Sequence, residues 1–330
     1  MNAPLVSHNT LHVSNCGTPA ASAVASRLGL LDDAGRKNSV EVVDIRDPRL
    51  TDDFRVRHWD HALGSLIREG GNIPPLWTRA EGTPTRLIGL TWVDEYQAIL
   101  VRADAGIRDI ADLKGRRIGV PVRPELPIDF VEGLSLRGLA SGLGLAGLTL
   151  GDVERVNIDA SPIVSDGPDI APLLDGTVDA IYVHGIHGVV SERHAGIAEL
   201  VAFGSHPDPL VRANAIGPRT ITVHQELLDA RPDVVVDYLV ALIKASDYAT
   251  DNPDAVLTYF GVSGDHDLES LRKAYGPGPT LRYRPTLDTD VIEALAHHAA
   301  FLAAHGIIRP GLDIASWIDP APLAAALARV

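Results

Sequence analysis

A single cysteine, Cys16, occurs in 330 residues, which excludes an intramolecular disulfide and any zinc site built on cysteines. Basic residues are scarce as well: 29 Lys and Arg stand against 43 Asp and Glu, a net charge of −14. No clustered basic face offsets that balance, so a nucleic-acid partner is not expected, and the acidity reads as a solubility feature. No apolar run approaches the ~20 residues of a membrane span, so no membrane partner is expected either. The opening MNAPLVSHNTLHVSNC has no basic start and no apolar stretch of the ~7–15 residues a signal peptide needs. The polar residues ahead of Cys16 also argue against a lipoprotein leader. A cytoplasmic location is the expectation.

What is present is a chain long enough for about two domains, with 45% apolar residues to build their cores. Short apolar runs alternate with helix-like segments. TLHVSN reads as a strand and ASAVASRLGLLDDAG as a helix ending at Gly35. SVEVVDI is a second strand, and WDHALGSLIREGG a second helix stopping at the glycine pair. TRLIGLTWV, YQAILVRAD, the end of DLKGRRIGVPV and VERVNI follow as strands, with DFVEGLSLRGLASGLGLAG helical. IAPLLDGTVDAIYVHG is a helix feeding a strand, and after ANAIGPRTITVHQELL long helices take over: PDVVVDYLVALIKASDYATDN and TDVIEALAHHAAFLAAHGII. This order predicts an α/β protein of mostly parallel sheets, in two lobes with a helical tail.

In open α/β sheets ligands sit beyond the carboxyl ends of the strands. Cys16 follows the first predicted strand and precedes the first helix, where a helix N-terminus lowers a thiol's pKa and favours a bound anion. The bland alternative is a packed thiol, since free cysteine is among the most buried residue types. A second informative stretch is RHWDHALGSLIREGGNIPPLW. It offers His58, Trp59 and His61, then Arg68 followed by Gly70 and Gly71. An arginine at a helix end before two glycines can present a bidentate guanidinium beside backbone N–H groups, which suits an oxyanion. The competing reading is a solvated arginine beside a C-capping glycine.

Taken together, SNC after the first strand, His58-Trp59, and Arg68 to Gly71 ten residues beyond the histidine resemble the aromatic sulfinate desulfinases. GGNIPPLW, DLKGRRIGV, TVDAIYVHG and SWIDPAPLAAAL are similar to corresponding parts of that family, so the resemblance runs through most of the chain. It implies a two-lobed α/β fold of the type II periplasmic-binding-protein kind, with a ligand cleft between lobes. The expected lobes are 1–113 with 222–330, carrying the catalytic residues, and 114–221, closing over the substrate. The implied activity is that of a hydrolase acting on a carbon–sulfur bond, in which aryl sulfinate plus water gives arene and sulfite. By that match Cys16 is the catalytic cysteine, His58 its partner and Arg68 the sulfinate clamp. Gly70 and Gly71 would help to hold the oxygens, with Trp59 and His184 against the substrate. No cofactor and no metal are implied, and the one partner is the small-molecule aryl sulfinate. Cys16 can act as proton donor to the ring carbon or, as thiolate, as nucleophile on sulfur; both routes stay open.

The chain departs from the family at Gly17-Thr18-Pro19, where other members are bulkier. Trp59 stands for a phenylalanine, and His184 and His187 lie where tryptophans are more usual. With only 5% aromatics, a smaller or more polar sulfinate is implied. His61 is the rival to His58. His184 with His187, or His297 with His298, would need converging carboxylates to bind a metal, and neither pair lies in an HExxH frame. GLASGLGLAGL lacks the spacing of a nucleotide loop. The competing class is a solute-binding protein for a sulfonate, sulfinate or similar organic anion, feeding a transporter. A third candidate, the chorismate-dehydrating branch of the same fold, needs no cysteine.

Overall fold

The computed structural model describes residues 9–15, 20–160, 170–259, 266–276 and 281–330. The chain divides into two compact units: Met1–Val93, Ile216–Phe260 and Leu281–Val330 form one, and Asp94–Ala215 with Gly261–Thr280 the other. Each is built on one sheet, so the α/β two-sheet architecture stands.

The first sheet holds β1 (Thr10–Asn15), β2 (Glu41–Asp44), β3 (Leu66–Gly70), β4 (Thr85–Val93), β10 (Arg219–His224) and β11 (Leu281–Thr286), in the order β11-β4-β10-β3-β1-β2. The second holds β5 (Gln97–Arg102), β6 (Arg117–Val122), β7 (Glu154–Asp159), β8 (Ala180–His184) and β9 (Ile197–Ala202), in the order β7-β6-β8-β5-β9. The expectation of mostly parallel sheets is corrected. β1 is parallel to β2 and β3, and β6 to β7 and β8, but β10 runs antiparallel to β3 and β4, as β5 does to β8 and β9. The antiparallel members are those flanking the places where the chain passes from one unit to the other.

The expected lobe limits at 113/114 and 221/222 differ from the observed division for the same reason. β4 and β5 are separated by three residues yet belong to different sheets, so the change of unit falls at Val93/Asp94. On the return, β10 pairs entirely within the first sheet and draws Ile216 onward with it. The helix Leu268–Tyr275 returns to the second unit, packing against the helix Gly185–Glu192.

Two helix expectations are also corrected. The first predicted helix is two, Ala21–Arg27 and Leu30–Lys37, separated at Gly29, whose φ of 73° is left-handed. Gly35 lies inside the second, close under Val40 and Val42, and does not end it. The helix expected over WDHALGSLIREGG does not form. A short helix Asp52–Arg55 and a 3-10 turn Val56–His58 are followed by β3, every residue of which is buried. A fully buried central strand has no apolar/polar alternation to show, and the apolar residues at 62, 63, 66 and 67 imitate a helical period.

The first core is built from Leu66 and Ile67 of β3, Leu87 and Ile88 of β4 and Ile221 and Val223 of β10, all buried. The 20-residue helix Pro232–Asp251 packs against the helix Ala21–Arg27, β11 and the C-terminal helix Ala321–Leu327. In the second unit Ile99, Leu100, Ile181, Tyr182 and Val183 fill the centre. The helix Phe130–Gly144 lies on them through Gly138 and Gly142, where an added Cβ would run into Tyr182 and Ile99. Among the described residues no helix is long and apolar enough to cross a membrane.

Candidate active site

Arg68 sits in the middle of the first sheet. On β3 it faces Ser14 of β1 on one side and Thr222 of β10 on the other, by register. Directly opposed residues of neighbouring strands share a face, so Ser14, Arg68 and Thr222 form one row. All three are buried, Arg68 being 2% exposed. A buried guanidinium needs its charge and donors answered. One answer is short: Nη1 donates to the Gly71 carbonyl at 2.9 Å. Arg68 was expected at a helix end; it is instead a strand residue whose backbone is fixed by a partner on either side. Gly70 closes β3 opposite Thr220. Gly71 then leads into Asn72, which is fully buried, donates from Nδ2 to the Pro218 carbonyl at 3.0 Å and precedes the helix Ile73–Ala80.

Two histidines feel the Arg68 charge. His58 ends the 3-10 turn, with Nδ1–H donating to the Arg55 carbonyl. Burial pushes its pKa down to about 4, and the Arg68 guanidinium adds to that depression. A neutral imidazole with its proton on Nδ1 leaves a lone pair on Nε2, so His58 is an acceptor or base at neutral pH. Its ring lies 5.1 Å from that of Trp59, tilted by 53°. His61 is 1% exposed, has a left-handed φ of 54° and hydrogen-bonds through Nε2 to Thr222 Oγ1 at 2.7 Å. Burial, then Arg68, then His224 and His58 lower its pKa to about 3. The structure therefore brings His58, His61, Arg68, Trp59, Gly70 and Gly71 into one region of the first unit. His61, on the same row as Arg68 through Thr222, is the more buried histidine.

His184 stands elsewhere, in the second unit. It ends β8 opposite Gln97 of β5, and its Nδ1 lies 3.3 Å from Oε1 of Glu95, a buried carboxylate that also accepts from Asn214 Nδ2 at 3.0 Å. Tyr182 stacks parallel to the His184 ring, 15° between planes. Cys16 lies outside the described residues; the chain is described up to Asn15 and again from Ala20. Among the described residues no group of three or more His, Asp or Glu could hold a metal ion.

Sequence reasoning missed Thr222, Ser14 and Glu69. Thr222 lies in RTITVH, whose alternation marks a strand, but nothing local pairs that strand with residue 68. Glu69 is fully buried; it accepts hydrogen bonds from the Ala21 and Ser22 N–H groups at 3.2 and 2.6 Å and from Thr91 Oγ1 at 2.6 Å. The first-turn amides of the helix Ala21–Arg27, expected to face an outside anion, are thus occupied by a carboxylate of the protein itself.

A family model described as NMT1/THI5 like matches residues 74–256. The chain is 28% identical, over 94% of its length and 92% of the relative's, to the 2'-hydroxybiphenyl-2-sulfinate desulfinase of Rhodococcus erythropolis. It is similar to a solved structure of DszB, a cysteine-to-serine mutant in complex with biphenyl-2-sulfinic acid, with a TM-score of 0.78 and 27% identity, covering 98% of this chain and 100% of that one. The periplasmic aliphatic sulphonate binding protein SsuA from Escherichia coli has the same fold, with a TM-score of 0.68 and 15% identity over 94% of this chain and 92% of that one.

Proposed function

The chain belongs to the NMT1/THI5-like family, and from its likeness to a sulfinate desulfinase we propose that it is a desulfinase, a hydrolase that cleaves the carbon–sulfur bond of an aryl sulfinate with water to give arene and sulfite. The observation that carries the reading is the buried Arg68 beside two histidines held neutral, 2% exposed and fixed from both flanking strands. It occurs in a chain similar over nearly its full length to a sulfinate desulfinase.

A sulfinate spreads one negative charge over two oxygens. A guanidinium offers two parallel N–H donors with that spacing, and in a site away from water the pairing is stronger than at a surface. Arg68 is the proposed clamp, assisted by the backbone N–H groups of Gly70 and Gly71. Neutral histidines add no positive charge to compete with Arg68 for the anion.

Cys16 is the proposed catalytic cysteine. Its thiol donates a proton to the ring carbon, the carbon–sulfur bond breaks and sulfur dioxide leaves. Water then adds to sulfur dioxide, giving hydrogen sulfite and a proton that restores the thiol. The balance is one aryl sulfinate and one water to one arene and one hydrogen sulfite. In the competing route the thiolate attacks sulfur, the carbon–sulfur bond breaks and the aryl carbon takes up the thiol's proton to leave as arene; water then releases hydrogen sulfite from the thiosulfonate-like adduct and restores the thiol, with the same balance. His58, with its Nε2 lone pair, is the acceptor that orients the thiol or takes a proton from the incoming water. Trp59 lines the site beside it. In the second unit, His184, beside Glu95, is a proposed substrate contact; a polar group there suits a smaller or more polar arene better than an unsubstituted biphenyl.

Sulfite release from a panel of aryl and alkyl sulfinates, wild type beside Cys16→Ser, tests the reading. Sulfite from the wild type, with saturable binding and no turnover in Cys16→Ser, is the expected result. Saturable binding of sulfinates or sulfonates by the wild type, with no sulfite from any of them, would replace the desulfinase by an organic-anion-binding protein. Unchanged turnover in Cys16→Ser would remove the thiol from the chemistry.

A further inference from the structure

Thr220 is the second residue of β10, the strand beside the proposed clamp. β1 and β3 run parallel and end at Asn15 and Gly70, while β10 runs antiparallel to β3. The first residues of β10 therefore lie at the carboxyl ends of β1 and β3, the end at which open α/β sheets take their ligands. By register Thr220 is opposite Gly70, and Thr222 opposite Arg68. Opposed residues share a face, as do residues two apart on one strand. The side chains of Thr220 and Arg68 thus rise from the same face, with Thr220 nearer the strand ends.

Thr220 is 0% exposed, and among the described residues its Oγ1 meets no hydrogen-bond partner. Thr222 is different, because its Oγ1 lies 2.7 Å from His61 Nε2. His61 in turn keeps its other ring nitrogen, Nδ1, buried and without a partner among the described residues. Two buried polar atoms with open hydrogen-bonding capacity therefore attend the row that carries Arg68.

Packing does not explain a threonine at 220. A buried hydroxyl without a partner carries its full desolvation penalty, and valine has the same shape and is as much at home in a strand. A ligand oxygen does explain it. Diagonal neighbours across paired strands are about 7–8 Å apart, within reach of a long side chain, so an oxyanion on the Arg68 guanidinium can also meet the Thr220 hydroxyl. The guanidinium offers its N–H donors in one plane. A sulfinate is pyramidal at sulfur, and its oxygens keep lone pairs off that plane for a second donor.

We infer that Thr220 is a substrate-binding residue whose hydroxyl donates to an oxygen of the anion that Arg68 clamps. That the anion is a sulfinate rests on the desulfinase reading of the same site.

The test compares wild type, Thr220→Val and Thr220→Ser. Benzenesulfonate, an anion of the same kind that the proposed reaction does not consume, reads binding by calorimetry; benzenesulfinate reads turnover as sulfite. In Thr220→Val the Kd for benzenesulfonate is expected to rise about tenfold or more, as loss of a hydrogen bond to a charged group does. The kcat/KM for sulfite release should fall by a similar factor. Thr220→Ser keeps the donor and should hold both values within about threefold of wild type. Without ligand, the urea midpoint of Thr220→Val should equal or exceed that of wild type, since an unpaired buried hydroxyl has been removed. Unchanged affinity and kcat/KM in Thr220→Val overturn the inference, and so does a lowered midpoint or a failure to fold, which would assign the hydroxyl to the frame. The expected affinities in a protein whose wild type releases no sulfite support the anion contact and overturn the desulfinase reading instead. A wild type that neither binds benzenesulfonate nor turns over benzenesulfinate overturns both.

Discussion

Across the middle of the first sheet run Ser14, Arg68 and Thr222, with Glu69 one residue further on the other face, all buried. The second sheet is built the other way. Ile181, Tyr182 and Val183 of β8 lie against Leu100, Ile99 and Ala98 of β5, an apolar middle. The polar residues Gln97 and His184 are paired at one end of those strands, beside Glu95. An apolar centre with polar ends is what stability asks of a sheet, because burying charge carries a desolvation penalty. A row of polar side chains through the centre departs from that, and such departures cluster where chemistry is done. The proposed clamp thus lies in the polar row of the first sheet, while the second sheet keeps its polar residues at one end.

The largest effect that would sharpen this contrast is on the central row. Arg68→Lys should lower kcat/KM for sulfite release about a hundredfold or more, since an ammonium gives no bidentate fork and is harder to bury. Turnover within a few-fold of wild type would remove the clamp from the proposal. In the second sheet the counterpart is purely a matter of packing. Gly138→Ala places a methyl group into the Tyr182 ring, which is itself held by its hydroxyl on Gln97 Oε1 at 2.8 Å. A loss of about 1–3 kcal/mol in urea unfolding is expected, with kcat unchanged per folded molecule.

The neutral histidines make the first unit acid-sensitive. His58 and His61 have folded pKa values of about 4 and about 3, while an unfolded histidine takes up a proton near 6.5. Below that pH the unfolded chain binds more protons than the folded one. Stability from this source is complete above about 6.5 and falls by about 1.4 kcal/mol per pH unit per histidine as the pH drops toward the folded values. Urea midpoints at pH 7.5 and 5 measure the slope, and His61→Gln should reduce it by that residue's share; an unaltered slope would mean that His61 is protonated in the folded state. The smallest effect is at the rim of the second sheet. His184→Ala should raise KM by about threefold to tenfold with kcat within about twofold, the loss of a single hydrogen bond in uniform binding; a fall in kcat alone would place His184 in the chemistry.

Much of the frame was legible in the sequence. TLHVSN and SVEVVDI carry β1 and β2, and the helices Pro232–Asp251 and Thr289–Ala304 show their period over many turns. The nearness of His58 to Arg68 was legible as well, but the strand that carries Arg68 was not. LIREG has two charged residues in a fully buried strand, and their partners make that tolerable: Ala21, Ser22 and Thr91, from other segments, for Glu69, and the carbonyl of Gly71, just past the strand, for Arg68. No local pattern announces such compensation, and a helical reading of the same residues is self-consistent. The division between units was hidden for a similar reason. β4 and β5 are neighbours in sequence, and which sheet each joins is decided by strands well over a hundred residues further on or some eighty away.

The row through Arg68 also has a history in the making of the chain. β1 and β3 are near the N-terminus, but Thr222 comes from β10, late in the 330 residues. During synthesis, which delivers residues in order, β3 therefore waits with one edge open, its arginine without the strand that completes its surroundings. An open edge beside an unshielded apolar face is a template for pairing with another chain. A fragment ending before β10 would be expected to gather into aggregates where the whole chain does not, and the late strand serves the young protein as a cover before it serves the finished one as a wall.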